Sequence, residues 1–257
     1  MGRVLVALLS ATLIAAACGS TDDDAGTDAD ATPSVVVDAA FLDEQVALSW
    51  DPDIEGAVLA VVHDADGSSV WSAAGTAPDG SSPTLDTPVR VGSITKFFTA
   101  VLVLDLVDDG LFELTDSAAD LLTRVSLDPA ISVRDLLRHS SGLPDSTEFG
   151  DFLGSLDEEP ERVWQPEEVL ASVEDEPLAF APGSSIAYSN NNYTVLGMLI
   201  EEVTGSTYAE VLRERISEPL GLSSTYLPPF ETGPAPFGGF EGGTFGGTTV
   251  VAAIEEP

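Results

Sequence analysis

The chain predicts an α+β fold in which an antiparallel hairpin precedes a mainly helical region. Residues 56–63 (Gly-Ala-Val-Leu-Ala-Val-Val-His) form a short, continuous apolar run. After the turn Asp64-Ala65-Asp66-Gly67, residues 69–75 (Ser-Val-Trp-Ser-Ala-Ala-Gly) form a second run. Two such runs across a tight turn read as an antiparallel hairpin. Beyond Arg90, apolar segments start at serines or prolines and stop at glycines, which are helix boundaries. The chain has 257 residues, 44% of them hydrophobic. That is enough to bury a real core in one domain or two intimate ones.

The N-terminus reads as an export segment. Arg3 precedes the apolar run Val4-Leu5-Val6-Ala7-Leu8-Leu9, and small residues lead to Cys18. This is the pattern of a secretory signal peptide over residues 1–17. The run is too short for a confident membrane span. Cys18 is the only cysteine, so no intrachain disulfide can form. Small residues before a single cysteine resemble a bacterial lipobox, which implies cleavage before Cys18 and lipidation of its thiol. Ala15 stands where a leucine is usual, and a plain signal peptide with an incidental cysteine is the other reading. Residues 18–40 are rich in Asp, Ala, Thr and Ser and read as a disordered acidic tether.

Charge narrows the partners. The net charge is −35, and no Lys or Arg lies between Arg3 and Arg90. Such a chain is repelled by nucleic acid and by anionic membrane surfaces, so membrane attachment rests on the lipid anchor alone. The expected location is extracytoplasmic, lipid-anchored to a bacterial membrane or secreted. With one cysteine and two distant histidines there is no zinc constellation, and no cofactor is expected.

The remaining elements follow in order. Residues 46–52 include Val46, Leu48 and Trp50 in alternation and suit an entry helix or strand. His63 at a strand end reads as structural. Residues 76–88 hold four prolines and glycines and form a loop. A helix opening at Ser93 closes near Gly110. Residues 117–122 form a short helix, and Ser132 caps another that breaks at Ser140-Ser141-Gly142-Leu143-Pro144-Asp145. Gln165-Pro166-Glu167-Glu168 starts a helix. The nine acids of residues 157–176 read as a solvated face, because the alternating ligand pattern of a calcium loop is absent. An apolar helix follows Tyr193 and ends at Gly205. A last helix spans about 208–217.

The chemistry centres on Gly92-Ser93-Ile94-Thr95-Lys96. Residues three apart share a helix face, so Ser93 and Lys96 point the same way. A serine hydroxyl needs a base to take its proton, and a lysine held away from water can offer a neutral amine for this. The chain has eight arginines and one lysine, and that lysine is Lys96. Arginine cannot lose its proton, whereas lysine can. On the motif alone, a solvated lysine after a capping serine remains open.

Four ordered blocks carry a family resemblance. They are Gly92-Ser93-Ile94-Thr95-Lys96; Leu136-Leu137-Arg138-His139-Ser140-Ser141-Gly142-Leu143-Pro144; Pro182-Gly183 with Tyr188-Ser189-Asn190; and Pro219-Leu220-Gly221-Leu222. The chain resembles the serine β-lactamase-related family of class C β-lactamases, D-alanyl-D-alanine carboxypeptidases and esterases over about residues 45–228. The resemblance implies an antiparallel sheet with flanking helices plus a helical region, with the site in the cleft between them. Residues 41–257 would form this hydrolase domain. Ser93 would be the nucleophile, Lys96 its proton partner and Tyr188 a second acid/base. Asn190 would bind the substrate amide and Lys96. Asn191 and Asn192 read as helix caps, and His139 as structural. The implied reaction is acyl transfer on a β-lactam, a peptidoglycan-derived D-Ala-D-Ala-type peptide or a small ester, by a monomer. A non-catalytic relative acting as a binder is the competing class.

The family carries a third motif, Lys-Thr-Gly or His-x-Gly, after Tyr-x-Asn. No lysine follows Lys96 and no histidine follows His139 in this sequence. The expectation is a chain that lacks the C-terminal strands and one oxyanion donor, a loss on the order of 10²–10³ in rate. A divergent complete member, with Gly-Gly-Thr segments in place of the motif, is the alternative. Among residues 237–257, only 248–254 suit a short strand or helix start.

Overall fold

The structure is a computed structural model that describes residues 38–53, 56–63, 68–77, 80–149 and 162–228, together with 152, 158, 230, 231, 233, 251 and 252. The expected signal peptide, Cys18 and most of the tether lie outside the described residues. The chain divides into two compact units, residues 1–85 (with Pro257) and residues 86–256.

In the first unit, helix α1 spans Ala39–Ser49. Asp38 starts it by accepting the Phe41 N–H at 2.8 Å, so the helix begins inside the 18–40 stretch read as tether. The acid serves there as an N-cap. Leu42 and Val46, one turn apart, form its buried face, and Leu48 is exposed. That helical spacing decides between the two readings of the entry segment. Strands β1 (Ala57–His63) and β2 (Ser69–Gly75) pair antiparallel, with Ala57 opposite Gly75 and His63 opposite Ser69. The Ser69 hydroxyl and His63 Nδ1 meet at 2.7 Å across the last pair, a structural use of the histidine. Helix α1 packs on both strands. Strand β1 is half-buried along its apolar length. One helix covers only one face of a two-stranded sheet.

The second unit opens with strand β3 (Val89–Arg90), which pairs antiparallel with β4 (Val251–Ala252), within the 248–254 stretch that suited a strand. A 3₁₀ turn at Gly92–Ile94 leads into α2 (Thr95–Asp108). Then come α3 (Ala118–Leu121), α4 (Val133–Leu137), α5 (Pro166–Ala171), α6 (Asn190–Thr204) and α7 (Tyr208–Leu212), the last continuing through a π turn at Arg213–Ser217. Sequence signals account for the boundaries. The Ser132 hydroxyl accepts the Asp135 N–H while the Asp135 carboxylate accepts the Ser132 N–H, a complete capping box. Gly205 closes α6 at φ 69°.

Helix α6 is the axis of this unit and packs on α2, α3, α4, α5 and α7. Val195, Leu196, Met198, Leu199 and Ile200 are all essentially buried. A helix apolar on every side in its middle must be enclosed on every side. Each fully buried Leu or Ile contributes about 1.5–3 kcal/mol. Helix α2 presents the stripe Thr95, Thr99, Leu102, Val103 and Leu106 to this core. Its Thr99 hydroxyl meets the Tyr208 hydroxyl of α7 at 2.9 Å, and burial pushes that phenol up to about 12. Arginines hold the periphery: Arg215 reaches Asp105 and Asp109 near the end of α2, and Arg124 reaches Glu201 of α6.

Two segments far apart in sequence lie side by side next to α6. The Ala179 N–H donates to Gly142 O, Gly183 N–H to Ser140 O and Ala187 N–H to His139 O, at 2.8, 2.8 and 3.0 Å. Gly142 sits at φ 82°, and a Cβ there would fall 2.3 Å from Phe180 O. Only glycine lets the two backbones approach this closely.

Candidate active site

Ser93 lies in the 3₁₀ turn at the head of α2, not in the α-helix itself, which begins at Thr95. Gly92 makes the turn at φ 54°, with open space where a Cβ would stand. The demand on glycine is therefore conformational, not one of room. The turn still puts Ser93 and Lys96 on one side, and Lys96 Nζ donates to Ser93 Oγ at 3.4 Å.

Tyr188 and Asn190 arrive from the segment entering α6. The Tyr188 hydroxyl and Ser93 Oγ are 3.0 Å apart. Lys96 Nζ donates to Asn190 Oδ1 at 2.8 Å. The ammonium also faces the ring of Tyr188 at 5.0 Å and that of Tyr193 at 5.7 Å, within cation–π range. Ser93, Lys96, Tyr188 and Asn190, the four residues singled out in the sequence, are thus brought together. Cys18 lies outside the described residues. Ser93 and Tyr188 are exposed, while Lys96 and Asn190 are half-buried. A cavity of about 250 Å³ beside them is lined by Ser93, Lys96, Ser146, Val169, Asn190 and Tyr193 among others. Among the described residues, no group of three or more His, Cys, Asp or Glu is arranged to hold a metal ion.

Asn191 and Asn192 do not cap α6 as the sequence suggested. Both are buried in its first turn and reach back to the 139–146 loop. Asn191 Nδ2 donates to Pro144 O at 2.9 Å, and its Oδ1 accepts from the Ser146 hydroxyl at 3.0 Å. Asn192 Oδ1 accepts from Ser141, and its Nδ2 faces His139 Nδ1 at 3.2 Å. Ser189 takes the N-cap position, and its hydroxyl donates to Pro144 O at 3.2 Å. The polar side chains of Ser189, Asn191 and Asn192 therefore staple the loop to the helix that carries Asn190.

His139 does more than fill space. It ends α4 in the left-handed region, at φ 56°. The His139 N–H donates to Leu136 O, and the Ser140 N–H to Asp135 O. This is a Schellman closure with histidine where glycine is usual, a backbone choice that costs roughly 1 kcal/mol. Its ring stacks on Tyr188 at 4.5 Å and 27° and lies 5.2 Å from Tyr193. The Ser189 N–H points at Nδ1 at 3.3 Å, so that nitrogen is the unprotonated acceptor. Burial, then the nearby Lys96 charge, hold the imidazole below its ordinary range, while Asp145 pulls weakly the other way. The position after Arg138 showed no periodic or motif signal for this contact, because the stack depends on how 139 and 188 are folded together. Asp145, whose carboxylate binds Asn190, was equally hidden within a turn.

The depressed His139 titration sets a pH window. Below its ordinary value near 6.5, the unfolded chain takes up the proton before the folded one does, so stability falls as pH falls from there. The lowered carboxylates Asp135, Glu168 and Glu210 act at more acidic pH. Chemical denaturation between about pH 7 and 5 should show stability decreasing toward acid, and His139→Asn, which tolerates the backbone, should flatten that slope. An unchanged slope in the variant would contradict the half-buried neutral imidazole.

The Beta-lactamase family model matches residues 39–253. Penicillin-binding protein 4 of Amycolatopsis lactamdurans is 31% identical over 191 residues, covering 72% of this chain and 48% of that protein. A D-aminopeptidase of Brucella anthropi is 34% identical over 145 residues, covering 56% of this chain and 27% of its own. The chain thus spans half or less of the length of these curated relatives. Among solved structures, D-amino acid amidase from Ochrobactrum anthropi SV3 superposes with a TM-score of 0.68 at 27% identity, over 84% of this chain and 66% of the other. With its ordered motifs, its α+β elements and a family match over most of its length, the chain belongs to the Beta-lactamase family.

Proposed function

We propose that this protein is a serine hydrolase that cleaves a small amide or peptide bond through an acyl-enzyme. The observation that carries the reading is Ser93 Oγ held between the Tyr188 hydroxyl at 3.0 Å and Lys96 Nζ at 3.4 Å. Ser93 Oγ attacks the substrate carbonyl carbon as its proton passes to the Tyr188 or Lys96 side. The two basic groups share that proton as a coupled pair. The carbonyl oxygen, now negative, takes a hydrogen bond from the Ser93 backbone N–H. The amine leaves with a proton returned by the same pair. Water then repeats the sequence against the ester and frees Ser93. Asn190, held against Lys96, lies beside the cavity, where its amide can also meet a substrate amide.

The names of the relatives support an amide substrate flanked by a D-configured residue, such as a D-amino acid amide or a D-Ala-D-Ala-type peptide. A β-lactam or a small ester is the other acyl donor that this chemistry accepts. We also place the enzyme in the cell envelope, held by a lipid on Cys18, on the strength of the apolar leader and small residues before that cysteine.

Ser93→Ala should abolish covalent labelling by a fluorescent penicillin or a fluorophosphonate, an effect on the order of 10⁶ in turnover where a nucleophile is lost. Lys96→Arg keeps the charge but not the ability to yield a proton, and should slow labelling by about 10²–10⁴. Undiminished labelling of the Ser93→Ala variant would remove Ser93 from the mechanism. A parent chain that binds the penicillin without ever forming an adduct would mark a non-catalytic relative.

Anchoring has its own measurement. In a bacterial host, Cys18→Ala should move the protein from the membrane fraction to a soluble or unprocessed form, since stable attachment needs several acyl chains. A mature N-terminal peptide without lipid mass would leave a plain secreted protein.

A further inference from the structure

Asp145 is the only buried carboxylate among the described residues, at 5% exposed. No arginine or lysine pairs with it there. A buried charge without a counter-ion is costly unless hydrogen bonds replace the lost water. Its five contacts are these. Oδ1 accepts the Thr147 N–H and the Thr147 hydroxyl, each at 2.8 Å, and Asn190 Nδ2 at 3.3 Å. Oδ2 accepts the Asn190 backbone N–H at 2.9 Å and Asn190 Nδ2 at 3.0 Å.

The Thr147 bonds and the Asn190 backbone bond are structural. They close a turn and satisfy the first N–H of α6, and between them they need an acceptor on each of the two oxygens. The Asn190 side chain is different. An ionised carboxylate only accepts hydrogen bonds, so it can meet only the NH₂ end of the Asn190 amide. The carbonyl end, Oδ1, must then face the other way, where it accepts from Lys96 Nζ at 2.8 Å. Were the amide reversed, its NH₂ would face the Lys96 ammonium, donor against donor. Lys96 would lose the one short bond that holds it 3.4 Å from Ser93 Oγ.

We propose that Asp145 is a positioning residue for acylation: its buried charge sets the orientation of the Asn190 amide, and through Asn190 it aims Lys96 at Ser93. The role rests on the hydrolase reading above, and it adds a residue to the machinery without giving it contact with the reacting atoms. A carboxylate does this where the shape-equivalent asparagine does not: an asparagine at 145 has one acceptor oxygen, so its NH₂ must face either the Thr147 N–H or the Asn190 N–H, and in the second case it lets the Asn190 amide reverse.

A double-mutant cycle with a structural readout tests this. Acylation by a fluorescent penicillin or a p-nitrophenyl ester is measured for the parent, Asp145→Asn, Asn190→Ala and the double variant, with thermal midpoints recorded for each. Asp145→Asn should slow acylation about tenfold or more in the parent, and by less than about twofold where Asn190 is already alanine. Equal losses in both backgrounds would overturn the proposal and leave Asp145 a loop staple. In parallel, the side-chain NH₂ of Asn190 is followed by ¹⁵N NMR in the unmutated protein and in Asp145→Asn. The two protons should be distinct and slow to exchange in the parent and lose that protection in the variant. Fast exchange in the parent, or an unchanged pair in the variant, would overturn the proposal even if the variant folds poorly. A parent that never acylates would defeat the hydrolase reading, and the NMR arm would then decide the orientation on its own.

Discussion

The hydrogen bond from Lys96 Nζ to Asn190 Oδ1 depends on two helices that meet along fully buried faces. Lys96 belongs to the first turn of α2 and Asn190 opens α6. Leu102, Val103 and Leu106 from one helix and Val195, Leu199 and Ile200 from the other are sealed from solvent. Close-packed interiors do not slide, so the first turns of the two helices are held in register. The apolar body of each helix thus fixes a polar contact at its end. The site is a consequence of core packing, although none of its hydrogen-bonding groups belongs to the core.

Around that contact the backbone takes left-handed conformations at three positions. His139 adopts a left-handed conformation that glycine would take more easily, and its ring lies on Tyr188. Gly142 and Gly92 also hold positive φ, one to let the backbone at 180 approach and one to turn β3 into α2. The strain at His139 persists only where the surroundings over-determine it. Here the over-determination is visible as the three-asparagine run: Asn190 to Asp145, Asn191 to Pro144 and Ser146, Asn192 to Ser141 and His139. Replacing any one of these amides removes hydrogen bonds from its partners, about 0.5–1.5 kcal/mol for each neutral bond.

Much of this was legible in the residues. The hairpin followed from two apolar runs and a turn, and its pairing matches. The lone lysine three places after Ser93 marked the motif, and Tyr188 and Asn190 join it at hydrogen-bond distance. What stayed hidden depends on tertiary approach. Asn191 and Asn192 carry the residue type of a cap, but the nearest acceptors and donors lie on a loop some fifty residues earlier. His139 and Asp145 flank a turn whose sequence announces only a break in the helix. No periodicity reports that a histidine ring will meet a tyrosine, or that a turn aspartate will be buried. The start of α1 at Ala39 inside an acidic stretch has a similar cause, since Asp38 is read by composition as a solvated charge and by the structure as a cap.

The central claim is that Ser93 is the atom-bearing nucleophile of a site assembled from α2 and the entry to α6. It is tested most directly by locating the covalent adduct. The unmutated protein is incubated briefly with a β-lactam, quenched in acid, digested and sequenced by tandem mass spectrometry. The account predicts one acyl group per chain, carried on the hydroxyl of Ser93. An adduct on any other residue, or a homogeneous chain of unmodified mass after exposure to both a β-lactam and an activated D-amino acid ester, would contradict it.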